Sequence, residues 1–363
     1  MKRVLLIADS NMSLSGVPVV FMSIVRCLKE EYVFDIVVLK DNDMYFEKEF
    51  LSYGGRIFKF NFRKPNNFIF KMFWLFFSFP KSVKRFLKNE INLKQYDVIH
   101  SFNEGFSYPF LKAAKKAVIK KRILHICSAQ SAYPSKKTFS QILFNWYQKK
   151  AMKKCTNIVF VSQKSLSLHD YKNKGLILYN VYDENKFGNI IECCDNNLSL
   201  TQIGTFSERK NQLFSLQILD ILKQRLPNVM LNIMGKELEE GYLQKMKNLI
   251  SKKGLGNNVI FYEGNFDRIK LNKKTSFIIY PSTMESFGLV LIESQACGIH
   301  CFANKDIPND ADMGNVDFIE LNPEIRATRI LNYYISFGNS RKKPINKDKF
   351  SSEQFIRTLK EIY

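Results

Sequence analysis

The chain has 363 residues, 45% apolar and 25% charged, with a formal net charge of +21. That length and mix fit two folded domains, and they exclude a disordered or collagen-like chain. The charge is uneven: residues 1–190 hold 32 Lys+Arg against 14 Asp+Glu (+18), and residues 191–363 hold 23 against 20 (+3). A basic half suits an anionic membrane surface, polyphosphate or nucleic acid, whereas a near-neutral half needs only a local anion site. Seven cysteines form no Cys-x-x-Cys framework, and Met1-Lys2-Arg3 runs straight into an apolar segment without a secretory signal. A reducing, cytoplasmic setting is the expectation.

Val4 to Ala8 is a short apolar run and predicts a buried strand, and the polar loop Ser10–Ser15 follows it. Gly16-Val17-Pro18 leads into an apolar helix ending near Leu28, and Phe34 to Leu39 is the next strand. This alternation predicts a doubly wound α/β domain. No Gly-x-Gly-x-x-Gly follows the first strand, which argues against a nicotinamide site, and Gly16 is the one glycine of that loop. Asp41-Asn42-Asp43 has the form of a metal-binding carboxylate pair, yet it sits in a polar turn and is read as a solvated loop.

Phe68 to Phe79 is dense in aromatics and is followed by Lys81, Lys84, Arg85 and Lys88. Twelve residues cannot span a bilayer. The 68–88 segment is either interfacial at a membrane or a core helix with a basic solvated end. Tyr96–His100 and Arg122–Ile126 predict strands that place His100 and His125 where open α/β sheets bind ligands, although a lone histidine there is more often structural. Further strands are expected at Ile158–Ser162 and from Leu176, with a polar boundary over Gly188–Asn197.

The second domain opens with a strand ending at Gly204, then Thr205 to Asn211 and an apolar helix. Strands ending at Gly235 and Gly264 follow. Arg209 and Lys210, just past a strand's carboxyl end, could neutralise a diphosphate. The strand Ile278–Tyr280 is stopped by Pro281-Ser282, and a helix is expected to open near Phe287. Glu285 and Glu293 bracket that start, and Gly288 would let a ligand approach the backbone. The reading is a nucleotide-sugar cradle or, more plainly, a strand–turn–helix with two solvated glutamates. Cys297, His300 and Cys301 are read as a buried helix end and strand start rather than a metal site. Glu353–Leu359 predicts a terminal helix.

Pro281-Ser282 through Glu285, Gly288, Ile292-Glu293, Gln295-Ala296 and Gly298 resemble the signature of the family 4 retaining nucleotide-sugar glycosyltransferases, polysaccharide-biosynthesis type. The resemblance implies the GT-B fold: two facing Rossmann-like doubly wound domains with a cleft between them. The expected division is 1–190 for an acceptor-side domain with possible membrane contact and 191–340 for the nucleotide-sugar domain. A terminal helical segment, 341–363, would pack back on the first domain. By resemblance, Glu293 holds the ribose, Glu285 lies by the donor sugar and phosphate, and the backbone of Phe287, Gly288 and Leu289 touches the diphosphate. Lys210 matches the lysine that balances leaving-group charge, His125 the histidine near the sugar's reacting carbon, and Gly16 the loop glycine at the diphosphate. Thr205, Arg209 and Gly235 complete the donor-binding set, with His125, Lys210 and Glu285 as the catalytic residues. The activity implied is metal-independent, retaining hexosyl transfer with UDP-sugars preferred and no cofactor. The acceptor would be a glycan or a polyprenyl-diphosphate-linked glycan at the inner face of an anionic membrane.

The sequence departs from the family pattern at several points. Thr205 stands where arginine is usual, Ser15-Gly16 replaces a double glycine, Lys236-Glu237 replaces Asp-Gly, and Val181 replaces glycine. Thr205 motivates a rival reading, a nucleotide-sugar-binding protein without turnover. An epimerase on the same architecture would need an acid/base pair that is not identifiable. A nucleic-acid reading of the basic half leaves the two glutamates unused, so nucleic acid is not an expected partner.

Overall fold

The computed structural model describes residues 1–8, 11–13, 15–39, 44–61, 65, 67, 70, 73–102, 106–128, 139–169, 175–195, 197–264 and 266–363. Asp41-Asn42-Asp43 falls outside these residues, as do Phe68 and Lys71 of the aromatic segment. The chain divides into two units. One is Met1–Asn180 together with Ser352–Tyr363, and the other is Val181–Ser351.

The first unit carries β1 (Lys2–Ala8), β2 (Tyr32–Val38), β3 (Ile57–Lys59), β4 (Val98–Ser101), β5 (Lys121–Ile126), β6 (Asn157–Phe160) and β7 (Gly175–Ile177). They form one parallel sheet in the order β3-β2-β1-β4-β5-β6-β7. Val4 to Ala8 are wholly buried, as a central parallel strand covered on both faces requires. Helix Gly16–Leu28 buries Val20, Phe21, Ile24, Val25 and Leu28, a spacing that lies on one helical face. The strand order reverses between β1 and β4, so their carboxyl ends flank the position where open sheets bind ligands.

The second unit repeats the plan with β8 (Ser199–Ile203), β9 (Met230–Gly235), β10 (Val259–Glu263), β11 (Phe277–Tyr280), β12 (His300–Asn304) and β13 (Val316–Ile319). The order is β10-β9-β8-β11-β12-β13, again parallel, with the reversal between β8 and β11. Leu200, Leu231, Phe277, Ile279 and Phe302 form the core with Leu216, Ile218 and Leu219 of helix Gln212–Lys223. Both sheets match the expected doubly wound α/β class.

β13 and helix Pro323–Phe337 had no counterpart in the sequence reading. β13 is only half buried along its length, so it lacks the apolar run that marks a central strand. Helix Pro323–Phe337 starts with proline in its first turn, and the Asn322 carboxamide oxygen accepts from Glu324 N and Ile325 N at 3.0 and 3.1 Å. That is a legible start signal. The polar stretch after Gly188 is bonded into the second unit. Ile191 O accepts from Arg341 Nε at 2.7 Å, and the same guanidinium donates to Ser276 O, Asn272 O and Thr275 O at 3.1, 3.1 and 2.7 Å.

Burial divides the aromatic segment. Trp74 and Phe79 are buried in the first unit's core, whereas Phe70, Phe73 and Phe77 are 60–65% exposed. Lys81, Lys84, Arg85 and Lys88 all lie on the exposed face of helix Phe79–Glu90.

Asp35 is a buried charge within β2. Its carboxylate accepts from Arg56 Nη2 at 2.7 Å, Tyr96 Oη at 2.6 Å, Arg3 Nη2 at 3.0 Å and Arg56 N at 2.8 Å. Burial raises its pKa, but the bonds from Arg56, Tyr96 and Arg3 outweigh that and hold it below the usual carboxylate range. A depressed folded-state pKa contributes stability that is present above the unfolded value of about 4 and lost as pH falls through the folded one. Asp35→Asn should therefore cost about 2 kcal/mol at pH 7 in urea unfolding. Its stability should also fall less steeply than the wild type's between about pH 4 and pH 2, and equal slopes would remove Asp35 from the acid dependence.

Candidate active site

The site residues of the second unit gather at the carboxyl ends of β8 and β11, which are neighbours in the sheet. β8 runs out at Ile203 and Gly204. A turn then carries Thr205 to Asn211, and Asn211 adopts a left-handed conformation (φ 57°) just before helix Gln212–Lys223. This geometry brings the Lys210 ammonium back over the sheet end, where the Lys210 carbonyl accepts from Gln202 Nε2 at 2.6 Å.

Lys210 Nζ donates to Glu285 Oε1 at 2.5 Å, and Arg209 Nη1 lies 3.7 Å from Glu285 Oε2. The Lys210 and Glu285 side chains are 13% and 9% exposed, whereas Arg209 is 44% exposed. Arg209 Nη1 also donates to Met284 O at 3.2 Å, and Arg209 O accepts from Thr283 N at 2.9 Å, so the two loops are laced together. Tyr280, the last residue of β11, is buried below, with Lys210 Nζ 5.3 Å from its ring centroid. Burial, then the Glu285 charge and hydrogen bond, push the phenol well above its ordinary pKa, so it stays a neutral donor to the carboxylate. Two cations face one carboxylate, which leaves the cluster one positive charge for an anion.

Two glycines permit this arrangement. A Cβ at Gly204 would sit 3.2 Å from Lys210 Cδ and Cε, and a Cβ at Gly235 would meet Gly204 O at 2.1 Å. Gly235 therefore lets β9 approach β8, and Gly204 leaves room for the lysine stem. Thr205 is half buried beside them, and its carbonyl accepts from Gln212 Nε2 at 3.0 Å.

Helix Leu289–Ala296 begins two residues later than the expected Phe287. Gly288 has φ 120°, ψ 59°, a conformation that is not helical and that favours glycine. The Phe287 ring is buried against Phe350, with centroids 5.8 Å apart, and so is drawn out of the helical path. The helix carries no side-chain N-cap. Gly288 O accepts from Leu291 N and Ile292 N at 3.0 and 3.3 Å, so Leu289 and Val290 supply the first-turn amides without an intrahelical acceptor. Gln295 braces its far side, donating to Leu291 O and Ala311 O at 3.1 and 2.8 Å.

Glu293, two turns along, does not join the Lys210 cluster directly. Its Oε2 accepts from Arg268 Nη1 at 2.8 Å, with side chains 15% and 13% exposed. Arg268 Nε and Nη2 are buried without a partner among the described residues, and the guanidinium lies 5.3 Å from the Phe187 ring centroid. Sequence reasoning missed Arg268. Its one signal is its place, just after Asp267, whose carboxylate caps helix Arg268–Lys273 beyond the end of β10.

Gly16 and His125 belong to the first unit. Gly16 opens its helix, and a Cβ there would meet nothing within 4 Å among the described residues. His125 and His100 are the penultimate residues of β5 and β4; β5 ends at Ile126 as expected, β4 runs one residue past the expected end at His100, and both rings are fully buried. Burial lowers the His125 pKa to about 3, so the ring is neutral at pH 7. Cys297 and Cys301 are buried thiols whose pKa values are pushed up by burial, Cys297 to about 11. His300 Nδ1 pairs with Asn315 Oδ1 at 2.8 Å.

Because Arg268 and Glu293 are mostly but not wholly buried, removing one partner should cost roughly 1–3 kcal/mol, below the cost for a sealed pair. Arg268→Met should lower stability by that amount in urea unfolding, and Arg268→Met with Glu293→Gln should recover some of it. Strict additivity would show that the two side chains do not interact.

Comparison with known proteins gives this geometry a family. Residues 194–313 match the family described as Glycosyl transferases group 1, and residues 14–169 match Glycosyltransferase Family 4. The chain is 23% identical over 295 residues to the capsular polysaccharide biosynthesis glycosyltransferase CapH of Staphylococcus aureus, covering 78% of this chain and 76% of that protein. It is also 23% identical over 343 residues to the putative glycosyltransferase EpsF of Bacillus subtilis, covering 86% and 82%. Among solved structures, Anabaena Alr3699/HepE in complex with UDP superposes with a TM-score of 0.77 at 16% identity, covering 99% of each chain. A mutant of S. aureus TarM, in complex with fondaparinux, alpha-GlcNAc-glycerol and UDP, gives 0.75 at 12% identity over 100% and 99%. Two parallel-sheet α/β units, paired with two successive family matches, identify the chain as a family 4 glycosyltransferase of the GT-B fold.

Proposed function

We propose that the protein transfers a sugar, with retention of configuration, from a nucleotide-diphosphate sugar to a glycan or lipid-linked acceptor in cell-surface polysaccharide biosynthesis. The observation that carries the proposal is the Lys210–Glu285–Arg209 cluster beside the uncapped start of helix Leu289–Ala296. The capsular relative CapH and the neighbour solved with UDP support a UDP-sugar and a surface glycan. A hexosyl donor is preferred on the same ground, since another structure of that neighbour holds UDP-glucose.

In this reading the diphosphate lies at the first-turn amides of Leu289 and its neighbours and takes Lys210, with Arg209 serving where the family's usual arginine is Thr205. Glu293 holds the ribose hydroxyls, Glu285 faces the donor sugar, and Gly235 and Gly288 keep the backbone open to the ligand. Gly16 and His125 keep the roles that resemblance gives them. The anomeric C–O bond breaks with its electron pair going to the nucleotide diphosphate. The acceptor oxygen bonds to the anomeric carbon from the same face, and its proton passes to the departing phosphate oxygen. Lys210 and the helix start stabilise the developing charge, so the step calls for no resident metal or cofactor.

Thermal shift and calorimetry with UDP, GDP and UDP-glucose test the proposal. Glu293→Ala should weaken UDP binding on the order of 10- to 100-fold, for loss of hydrogen bonds to a charged group. Glu285→Gln should bind UDP several-fold more tightly, since Lys210 no longer answers a carboxylate, while transfer is lost. If no nucleotide stabilises the protein, the cradle is wrong. If UDP binds but no transfer occurs and Thr205→Arg restores it, the protein is the non-transferring binder that Thr205 raises.

An anionic membrane surface is the second proposed partner, reached from the cytoplasmic side. No helix among the described residues is long and apolar enough to cross a membrane. Phe70, Phe73 and Phe77 are exposed, and so are Ile142 and Trp146 on helix Phe139–Met152; Phe76 packs against Trp146 at 5.1 Å. The exposed Lys81, Lys84, Arg85 and Lys88 adjoin them in sequence. Apolar insertion beside cations fits an interfacial binder. Flotation with phosphatidylglycerol vesicles should fall sharply for Phe73→Ser with Phe77→Ser and for neutralisation of the four cations. Flotation that neither change alters would count against this surface.

A further inference from the structure

Three buried polar groups of the first unit form a line from the final helix to His125. Tyr363 follows helix Ser352–Ile362, and its Oη lies 2.8 Å from His100 Nδ1. His100 Nε2 lies 3.2 Å from His125 Nδ1. The two imidazoles are nearly parallel, 12° apart, and Phe102 stacks on His100 at 4.4 Å. Both rings are 0% exposed and Tyr363 is 6% exposed. At the far end of the line, His125 Nε2 is buried with no partner among the described residues.

The hydrogens of this line can be counted. Burial lowers the pKa of both histidines, so each ring is neutral and carries one N–H and one bare nitrogen. Only two arrangements then place one hydrogen in each contact. In the first, the phenol donates to His100 Nδ1, His100 Nε2–H donates to His125 Nδ1, and His125 keeps its hydrogen on Nε2. In the second, His125 Nδ1–H donates to His100 Nε2 and His100 Nδ1–H donates to the phenol oxygen. The Tyr363 hydrogen is then stranded in a buried site, because His100 is the hydroxyl's hydrogen-bond partner among the described residues. Each arrangement leaves one buried hydrogen without an acceptor among the described residues, on His125 Nε2 in the first and on Tyr363 in the second. What separates them is the Tyr363–His100 contact, where a phenol O–H donating to a bare imidazole nitrogen joins the stronger donor to the stronger acceptor and the reverse joins the weaker of each.

We propose that Tyr363, acting through His100, is a positioning residue that fixes the ring hydrogen of His125 on Nε2. His125 is thereby a neutral hydrogen-bond donor toward an oxygen acceptor, a sugar hydroxyl or ring oxygen being the class it would take. That last clause rests on the role proposed for His125 at the donor sugar; the tautomer does not. A histidine with the opposite tautomer would offer a lone pair instead and would select a donor hydroxyl proton.

Nitrogen-15 NMR on the full chain with ring-labelled histidine tests this. The chain has four histidines, and the His125 signals are assigned by their loss in His125→Gln. The wild type should show a protonated Nε2 and a bare Nδ1. Tyr363→Phe removes the only term that separates the two arrangements, so His125 should become a mixture or shift to Nδ1–H. Circular dichroism and the unfolding midpoint report whether that variant is folded. A bare Nε2 or an imidazolium in the wild type overturns the proposal on its own, whatever the variant does. An unchanged Nε2–H signal in folded Tyr363→Phe overturns the role given to Tyr363. These signals are read without nucleotide, so failure of UDP to bind sinks the proposed function and leaves the tautomer result standing.

Discussion

Much of the second unit's design answers one requirement: an ammonium and a carboxylate must meet at the switch between β8 and β11. Taking two charges largely out of water is expensive, and a nearly buried pair seldom contributes net stability. The structure meets that cost with further polar contacts rather than with depth. Tyr280 supplies a neutral donor from below and Arg209 a second cation from the side. The Gln202 carboxamide holds the backbone of Lys210 itself. Gly204 and Gly235 supply room rather than contacts, since side chains at either would displace the lysine stem or push neighbouring strands apart.

The two cations are not equivalent. Lys210 is held, whereas Arg209 is nearly half exposed on a surface loop. A fixed charge is preorganised for an anion that forms during reaction, while a mobile one must first be ordered. Thr205 matters for this reason: the family's usual arginine would come from the strand end itself, whereas Arg209 reaches the cluster from four residues further on. Under the proposed function, stabilisation of the leaving diphosphate would depend on whether Arg209, 44% exposed, turns from Glu285 toward the ligand.

The sheet strands were largely legible because doubly covered parallel strands must be apolar along their length. Half-buried β13 was not, for the same reason inverted. The start of helix Leu289–Ala296 was displaced from Phe287 by a ring that found Phe350, a tertiary contact that local pattern cannot carry. In the site, the residue types and their place after strands were readable, and the family signature divided their roles. The pairings were not. Lys210 meets Glu285 across 75 positions, and Arg268 meets Glu293 across 25. Periodicity and capping signals act over a few residues, so only topology could bring these groups together. The aromatic segment shows the opposite limit. Composition could not divide Trp74 and Phe79 from Phe73 and Phe77, because the choice depends on which side of one helical turn faces the sheet.

The first unit is discontinuous in sequence, and that has a consequence for its assembly. Its seven strands are complete by Ile177, yet Ser352–Tyr363 belongs to the same unit, and His100 waits 263 positions for the Tyr363 hydroxyl. On a ribosome adding about 5–20 residues per second, the second unit's whole sequence must be made before that partner exists. For those seconds the early sheet would hold two buried imidazoles whose shared hydrogen has no preferred side. Closing the last helix onto the first unit is therefore also the event that gives the histidine pair its polarity.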